Sequence, residues 1–304
     1  MKRQTVSLVV TLVVLAIVAF FALRREGEVS STGSSGKMLV DYDSTSVDKL
    51  EITSPTGSII LEREAGIWML TSPVRYQADE NSVASAVGRG RKIELSSLVS
   101  TNPEKQNLFQ VDSTGTLVKV YEKGSLKAAF HVGKASSGFT DTYVRLDGSN
   151  DVQLAHEVIT STFNKQVKEW RDKTIFKIDE GKITGAKFQY GDTTFTLSRQ
   201  DSLWRIEKDS ANQAVIKPLL GALANIQTDE FVDSTLTTLP KLTAIIDVEG
   251  TQIRFFKKDD TKYLVQTSQS PQWFEVQGWR TTSLLKRALP VLACSMYLIG
   301  TTSR

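Results

Sequence analysis

An internal repeat constrains this 304-residue chain more than any other feature. The stretch Leu50–Leu70, LEITSPTGSIILEREAGIWML, aligns without a gap on Ala186–Ile206, AKFQYGDTTFTLSRQDSLWRI, at an offset of 136. Leu61 with Leu197, Arg63 with Arg199 and Trp68 with Trp204 are identical. The shared pattern says more than these identities. Each copy reads as a short strand, a turn, a second strand of alternating polarity, a second turn and an apolar-Trp-x-apolar strand. The turns fall at Pro55-Thr56-Gly57 and Gly191-Asp192, then at Ala65-Gly66 and Asp201-Ser202, where the residue types suit reversal of the chain.

The likeness continues beyond the meander. A helix is expected over Asp79–Gly90, with Val83, Ala86 and Val87 on one face. Ala211–Ile226 matches it, with Leu219, Ala222 and Leu223 at the same offset. Asp79 is placed to cap the first helix, and Glu80 suits the positive end of its dipole. A hairpin follows in each half, Leu117–Tyr121 with Leu126–Val132 and Ala244–Val248 with Gln252–Phe256. Tyr143 then faces Tyr263, an offset of 120, so 16 residues are missing between meander and hairpin in the second half. Helices near Ala155–Lys168 and Thr281–Leu289 are expected to end the units. The order β-β-β-α-β-β-β-β-α, twice, predicts an α+β protein: two tandem antiparallel β-rich modules, each with helices on the sheet. Leu289–Gly300 contains Pro290, is too short to span a bilayer, and is expected to pack on the second module.

Val6–Leu23 is uncharged, with Ser7 and Thr11 its only polar residues. As a helix these 18 residues would span about 27 Å, close to a hydrocarbon core. The run is longer than a typical signal-peptide core, and its Ala22-Leu23-Arg24-Arg25 end is a poor cleavage site. It reads as an uncleaved N-terminal transmembrane helix. Lys2 and Arg3 precede it and Arg24 and Arg25 follow, so basic residues do not set its orientation. The habit of N-terminal anchors favours an extracytoplasmic C-terminal region, at the inner (cytoplasmic) membrane. The expected divisions are a signal anchor at 1–25, a flexible Gly/Ser-rich linker at 26–43, a first module at 44–177 and a second, shorter one at 178–304.

Setting aside Lys2 and Arg3 takes the net charge from +3 to +1, which argues against nucleic acid as a partner. The single cysteine, Cys294, and two separated histidines, His131 and His156, do not suggest a metal site. His131 reads as a half-buried strand residue. No nucleophile elbow or Walker A pattern is present. Gly133-Lys134-Ala135-Ser136-Ser137-Gly138 lacks the terminal Gly-Lys-Ser/Thr of a phosphate loop and reads as a surface loop. Glu62 with Glu64, and Asp79 with Glu80, read as surface carboxylates rather than an acid/base pair. Gly88-Arg89-Gly90-Arg91-Lys92 is the densest basic cluster and sits where a helix should end. Trp68 and Trp204 read as core residues, whereas Trp273 and Trp279 flank a turn. Trp273, Trp279, Arg89 and Arg91 are therefore the candidate partner-binding residues. No catalytic residue and no cofactor is expected.

Several stretches resemble a known family. They are Ile60-Leu61-Glu62-Arg63, Gly66-Ile67-Trp68-Met69-Leu70-Thr71-Ser72-Pro73, Val132-Gly133-Lys134, Thr142-Tyr143-Val144-Arg145 and Trp170-Arg171-Asp172-Lys173. The chain is similar over most of residues 38–250 to an uncharacterised bacterial domain-of-unknown-function family. Members of that family are commonly membrane-anchored and linked to ABC transport systems of the gliding-motility auxiliary type. The resemblance is most specific in the W-x-L-x-x-P, YVR and WRDK stretches, and the second half lacks clear YVR and WRDK counterparts. It carries over no catalytic residue. It implies a non-enzymatic accessory or scaffold role beside an ABC permease, with the bilayer contacted through Val6–Leu23. The competing expectations are an envelope glycan- or lipid-binding module with an aromatic cleft at Trp273 or Trp279, and an unrecognised hydrolase.

Overall fold

The computed structural model describes residues 36–285. The apolar run Val6–Leu23, Leu289–Gly300 and Cys294 lie outside the described residues. Among the described residues no helix is long and apolar enough to cross a membrane.

The chain forms two units that divide between Arg171 and Asp172. The first contains β1 (Lys37–Met38), β2 (Val47–Ser54), β3 (Gly57–Glu64), β4 (Ile67–Ser72), β5 (Tyr76–Gln77), β6 (Glu94–Ser100), β7 (Thr116–Glu122), β8 (Ser125–Ala135), β9 (Thr142–Leu146) and β10 (Val152–Ala155). They build one 10-stranded sheet in the order β1-β6-β10-β9-β8-β7-β2-β3-β4-β5. The second contains β11 (Thr174–Lys177), β12 (Gly185–Tyr190), β13 (Thr193–Gln200), β14 (Leu203–Ile206), β15 (Asp209–Ser210), β16 (Asn225–Gln227), β17 (Glu230–Val232), β18 (Leu242–Val248), β19 (Thr251–Lys257), β20 (Lys262–Thr267) and β21 (Ser270–Gln277). Its 9-stranded sheet runs β17-β21-β20-β19-β18-β12-β13-β14-β15, and β11 pairs with β16 apart from it.

The two orders superimpose strand for strand. β12, β13, β14 and β15 take the places of β2, β3, β4 and β5, and β18 to β21 take those of β7 to β10. Where β6 pairs with β1 at one end and β10 at the other, the second unit uses two short strands. There β16 meets β11 and β17 meets β21. Every ladder described is antiparallel, as two-residue reversals allow. At Ala65-Gly66 and Lys123-Gly124 both turn residues have positive φ, as they do at Glu249-Gly250. That geometry matches the strand twist and favours glycine second.

The expectation of an α+β fold is corrected: the described residues are mostly β-sheet. Among the described residues only Glu80–Arg91 and Gln213–Ala224 are substantial helices, of 12 residues each. In place of the helix expected over Ala155–Lys168, Ala155 ends β10, which pairs with β6 and β9. Two single turns follow, Thr160–Phe163 and Val167–Trp170. In the second unit the corresponding turn is Gly278–Thr281. Residues 37–42, expected within the linker, belong to the first unit, with Leu39, Val40 and Tyr42 buried.

The three identities of the repeat are structural equivalents. Leu61 pairs with Leu50 and Leu197 with Ala186, all four buried. Arg63 lies opposite Trp68, and Arg199 opposite Trp204. Both tryptophans are buried, at 5% and 7% exposure, as core residues of their hairpins. The helices align at an offset of 133 instead of 136. Asp79 caps the first through the Ser82 amide at 2.7 Å, and Asn212 caps the second through the Ala214 amide at 3.2 Å. Buried Val83, Ala86 and Val87 then correspond to buried Ile216, Leu219 and Leu220. Three residues are lost because β4 reaches β5 through Thr71–Arg75's Pro73 bend, whereas β14 turns directly at Glu207-Lys208. These three residues are part of the loss expected between meander and hairpin.

Gly90 is not a terminal cap, since the helix runs through Arg91. A Cβ there would lie 2.5 Å from the Tyr42 hydroxyl oxygen and 3.5 Å from the Phe130 ring. The missing side chain lets the helix approach the sheet while Tyr42 donates to the Val87 carbonyl at 2.7 Å.

Candidate functional site

Two places in the molecule concentrate polar chemistry. The first is on β8 and β9. His131 and Arg145 are cross-strand partners, both 7% exposed. Burying a guanidinium is costly unless its donors are matched. Arg145 Nε donates to the Val111 carbonyl at 2.8 Å, and a terminal nitrogen donates to the Ser149 carbonyl at 2.7 Å. It therefore ties the segment before β7 to the turn after β9. The His131 Nε2 lies 3.1 Å from Asp147 Oδ1. Burial pushes the His131 pKa down, Asp147 opposes that through its hydrogen bond, and the Arg145 charge adds to it; the net shift is downward. Asp112, beside Val111, has its carboxyl held below the usual range, first by the Thr114 hydroxyl and also by the nearby imidazole.

Glycines admit this segment. A Cβ on Gly115 would lie 1.7 Å from the Gln110 carbonyl oxygen, and one on Gly133 would lie 2.2 Å from that of Phe109. Phe109 packs on Tyr143 with ring centroids 4.7 Å apart. Gly133, Lys134 and Ala135 thus belong to β8, and only the residues after them form the loop expected there.

The WRDK stretch is equally occupied. Trp170 and Arg171 are 0% and 2% exposed. The Arg171 guanidinium stacks over Tyr76 at 4.3 Å, and the Lys165 ammonium lies 4.9 Å from the Trp170 ring. The Trp170 carbonyl accepts from the Asp79 amide at 2.8 Å, so this stretch also fixes the start of the first long helix. Asp172 accepts from the Thr174 amide at 3.0 Å.

The second place is a cleft in the second unit, of about 230 Å³. The last turn of helix Gln213–Ala224 contributes Ala222, β16 contributes Gln227, and the turn after β21 contributes Trp279, Arg280 and Ser283. Trp279 is 70% exposed. Arg280 stacks over its ring at 4.6 Å and donates through Nε to Asp229 at 2.9 Å. Asp229 also accepts from the Gln277 amide at 2.9 Å, which fixes the arginine to the sheet edge.

Of the four candidate partner residues, Arg89 and Arg91 lie in the first unit and Trp273 and Trp279 in the second. Arg89 pairs with Glu157 at 3.6 Å, both half exposed. Arg91 lies in the last turn of its helix, where a cation offsets the dipole. Trp273 packs edge-on against Phe256 at 5.2 Å on β21 and does not line the cleft that Trp279 does. The carboxylates considered as acid/base pairs are engaged elsewhere: Glu62 with Lys49 at 3.1 Å, Glu64 with Arg75, and Asp79 as a helix cap. His156, expected to open a helix, instead follows β10, with its ring 3.7 Å from Asp141. Among the described residues no group of three or more His, Cys, Asp or Glu could hold a metal ion.

Glu275 was not singled out by sequence reasoning. It is a buried carboxylate on β21 that pairs with both Lys258 and Lys262. Burial would raise its pKa, but the two ammonium groups outweigh burial and hold it below the usual range. Gln227, in the cleft, gave no sequence signal either, because a lone carboxamide on a short strand has no spacing to mark it.

The chain belongs to a family of proteins with a domain of unknown function, DUF4340, whose model matches residues 68–244. The match takes in YVR, WRDK and the Trp68 strand, and extends through the second unit's meander and helix to the start of β18. No curated protein and no solved structure matches the chain.

Proposed function

We propose that this protein is a non-enzymatic accessory or scaffold subunit of a membrane complex, of the ABC transport type, working on the outer side of the cytoplasmic membrane. The observation that carries the reading is how the family's distinctive residues are used. Arg145 and Arg171 are buried and engaged with backbone carbonyls and the Tyr76 ring, and Trp170 is buried with its carbonyl accepting from the Asp79 amide, so they shape a surface and are not presented to a substrate. The uncharged stretch Val6–Leu23 supports contact with a bilayer, and the family resemblance supports the transport setting. The proposed partners are the permease and accessory subunits of such a system. Affinity purification of the tagged full chain from detergent-solubilised membranes tests this. Co-purification of a permease and an ATPase is expected, together with retention of the chain in carbonate-washed membranes. Recovery of the chain alone, or its release by carbonate, would overturn the proposal.

A further inference from the structure

We infer that the cleft beside Trp279 binds a neutral carbohydrate through one sugar ring. The inference does not depend on the scaffold reading, and either can fail without the other. Large aromatic side chains bury well, so one left 70% exposed at the mouth of a cleft has surface to offer. Arg280 stacks on the indole, and the 70% exposure of Trp279 leaves ring surface uncovered.

The lining then selects the ligand. An anion is disfavoured, because Arg280 is already paired with Asp229 and the cleft sits at the C-terminal, negative end of helix Gln213–Ala224. A cation is disfavoured too, since no carboxylate lines the cleft and Arg280 does. A purely apolar ligand would strand the polar groups of Asn225, Gln227 and Ser283. A neutral molecule with one apolar face and a rim of hydroxyls satisfies both kinds of wall. A pyranose ring stacks its C–H face on indole and exchanges hydrogen bonds with carboxamides, which both donate and accept. The volume of about 230 Å³ suits one such ring and not a drug-sized ligand.

The test uses the full chain and two soluble probes, chitotetraose and cellotetraose, with glycerol and inorganic phosphate as controls. Saturation-transfer NMR should show magnetisation reaching the sugar ring protons of at least one probe, and neither control. Titration calorimetry should show that Trp279→Ala weakens that binding about tenfold or more. Asn225→Ala with Gln227→Ala should weaken it with the stacking transfer retained. Trp279 and both amides are exposed or at a cleft rim, so far-ultraviolet circular dichroism should be unchanged in these variants. No transfer to either sugar at about 10 mM, or binding that Trp279→Ala leaves intact, overturns the inference. So does a Trp279→Ala variant that loses a co-purifying protein while the wild type binds neither sugar.

Discussion

The first and second units share a strand order but spend their polar residues differently. In the first, residues 101–115 bridge β6 and β7, and single helical turns at Pro103–Lys105 and Gln106–Phe109 lay Phe109 on Tyr143. Arg145 and two tightly packed glycines hold that segment, and the His131 imidazole interacts with Asp112 within it. In the second, residues 233–241 make the same connection with a shorter link, and no arginine clamp is formed there among the described residues. Its buried charge is instead Glu275, balanced by Lys258 and Lys262. Duplication has therefore kept the sheet and replaced what secures it. Arg145, Trp170 and Arg171 serve contacts within the first unit, in keeping with the lack of clear YVR and WRDK counterparts in the second half.

The shared part of the comparison can be broken at the paired tryptophans. Trp68→Ala and Trp204→Ala each empty a buried hairpin position. Each should cost about 3–5 kcal/mol of stability to its own unit, read by chemical denaturation. Costs that differ by more than about 2 kcal/mol would separate the two positions and weaken the claim of equivalence.

The unshared part shows in acid. His131 binds its proton more weakly when folded than in the unfolded chain, where its ordinary value is 6.5. The stability this contributes is present above that value and is lost as pH falls through the lowered folded value. Glu275 also has a lowered pKa, from an ordinary value of 4.5, so its contribution holds until the pH drops below that. Hydrogen exchange followed from pH 7 to 4 should show residues 101–115 loosening first and β20–β21 later. His131→Gln should remove the early step. Simultaneous loosening, or an early step that persists in His131→Gln, would remove His131 from this account.

The smallest effect tests the register of the helices. At an offset of 133, Gly88 corresponds to Gly221. A Cβ at Gly88 meets nothing within 4 Å, and one at Gly221 meets only the Glu180 carboxylate at 3.8 Å. Gly88→Ala and Gly221→Ala should each stabilise by about 0.5–1 kcal/mol, through helix propensity alone. A loss at either site would mean that its helix packs more closely there than described.

Much of the sheet was legible because period-two alternation and turn residues are local. The pattern around Leu61 and Leu197, and the Gly-containing turns, placed six strands of the two meanders. What was not legible depended on distant partners. Val152–Ala155 has a composition open to helix or strand, and only its pairing with β6 and β9 decides it. The helix faces were shifted by three residues, because nothing local marks the bend at Pro73 as an insertion. The roles of His131 and Arg145 were hidden for a similar reason. The one lies on β8 and the other on β9, and their burial depends on a segment more than 15 residues upstream of either. Trp279 reads from the sequence as a turn-flanking candidate partner residue, but its cleft depends on Gln227 and on Ala222, which a separate helix brings to it.

The central claim is that buried Arg145 holds the segment before β7 to the turn after β9. Hydrogen-exchange mass spectrometry on full-length Arg145→Met tests it most directly. The account predicts lost protection confined to residues 101–115 and 147–151, with the second unit unchanged. Protection in those two segments that survives the substitution would contradict it.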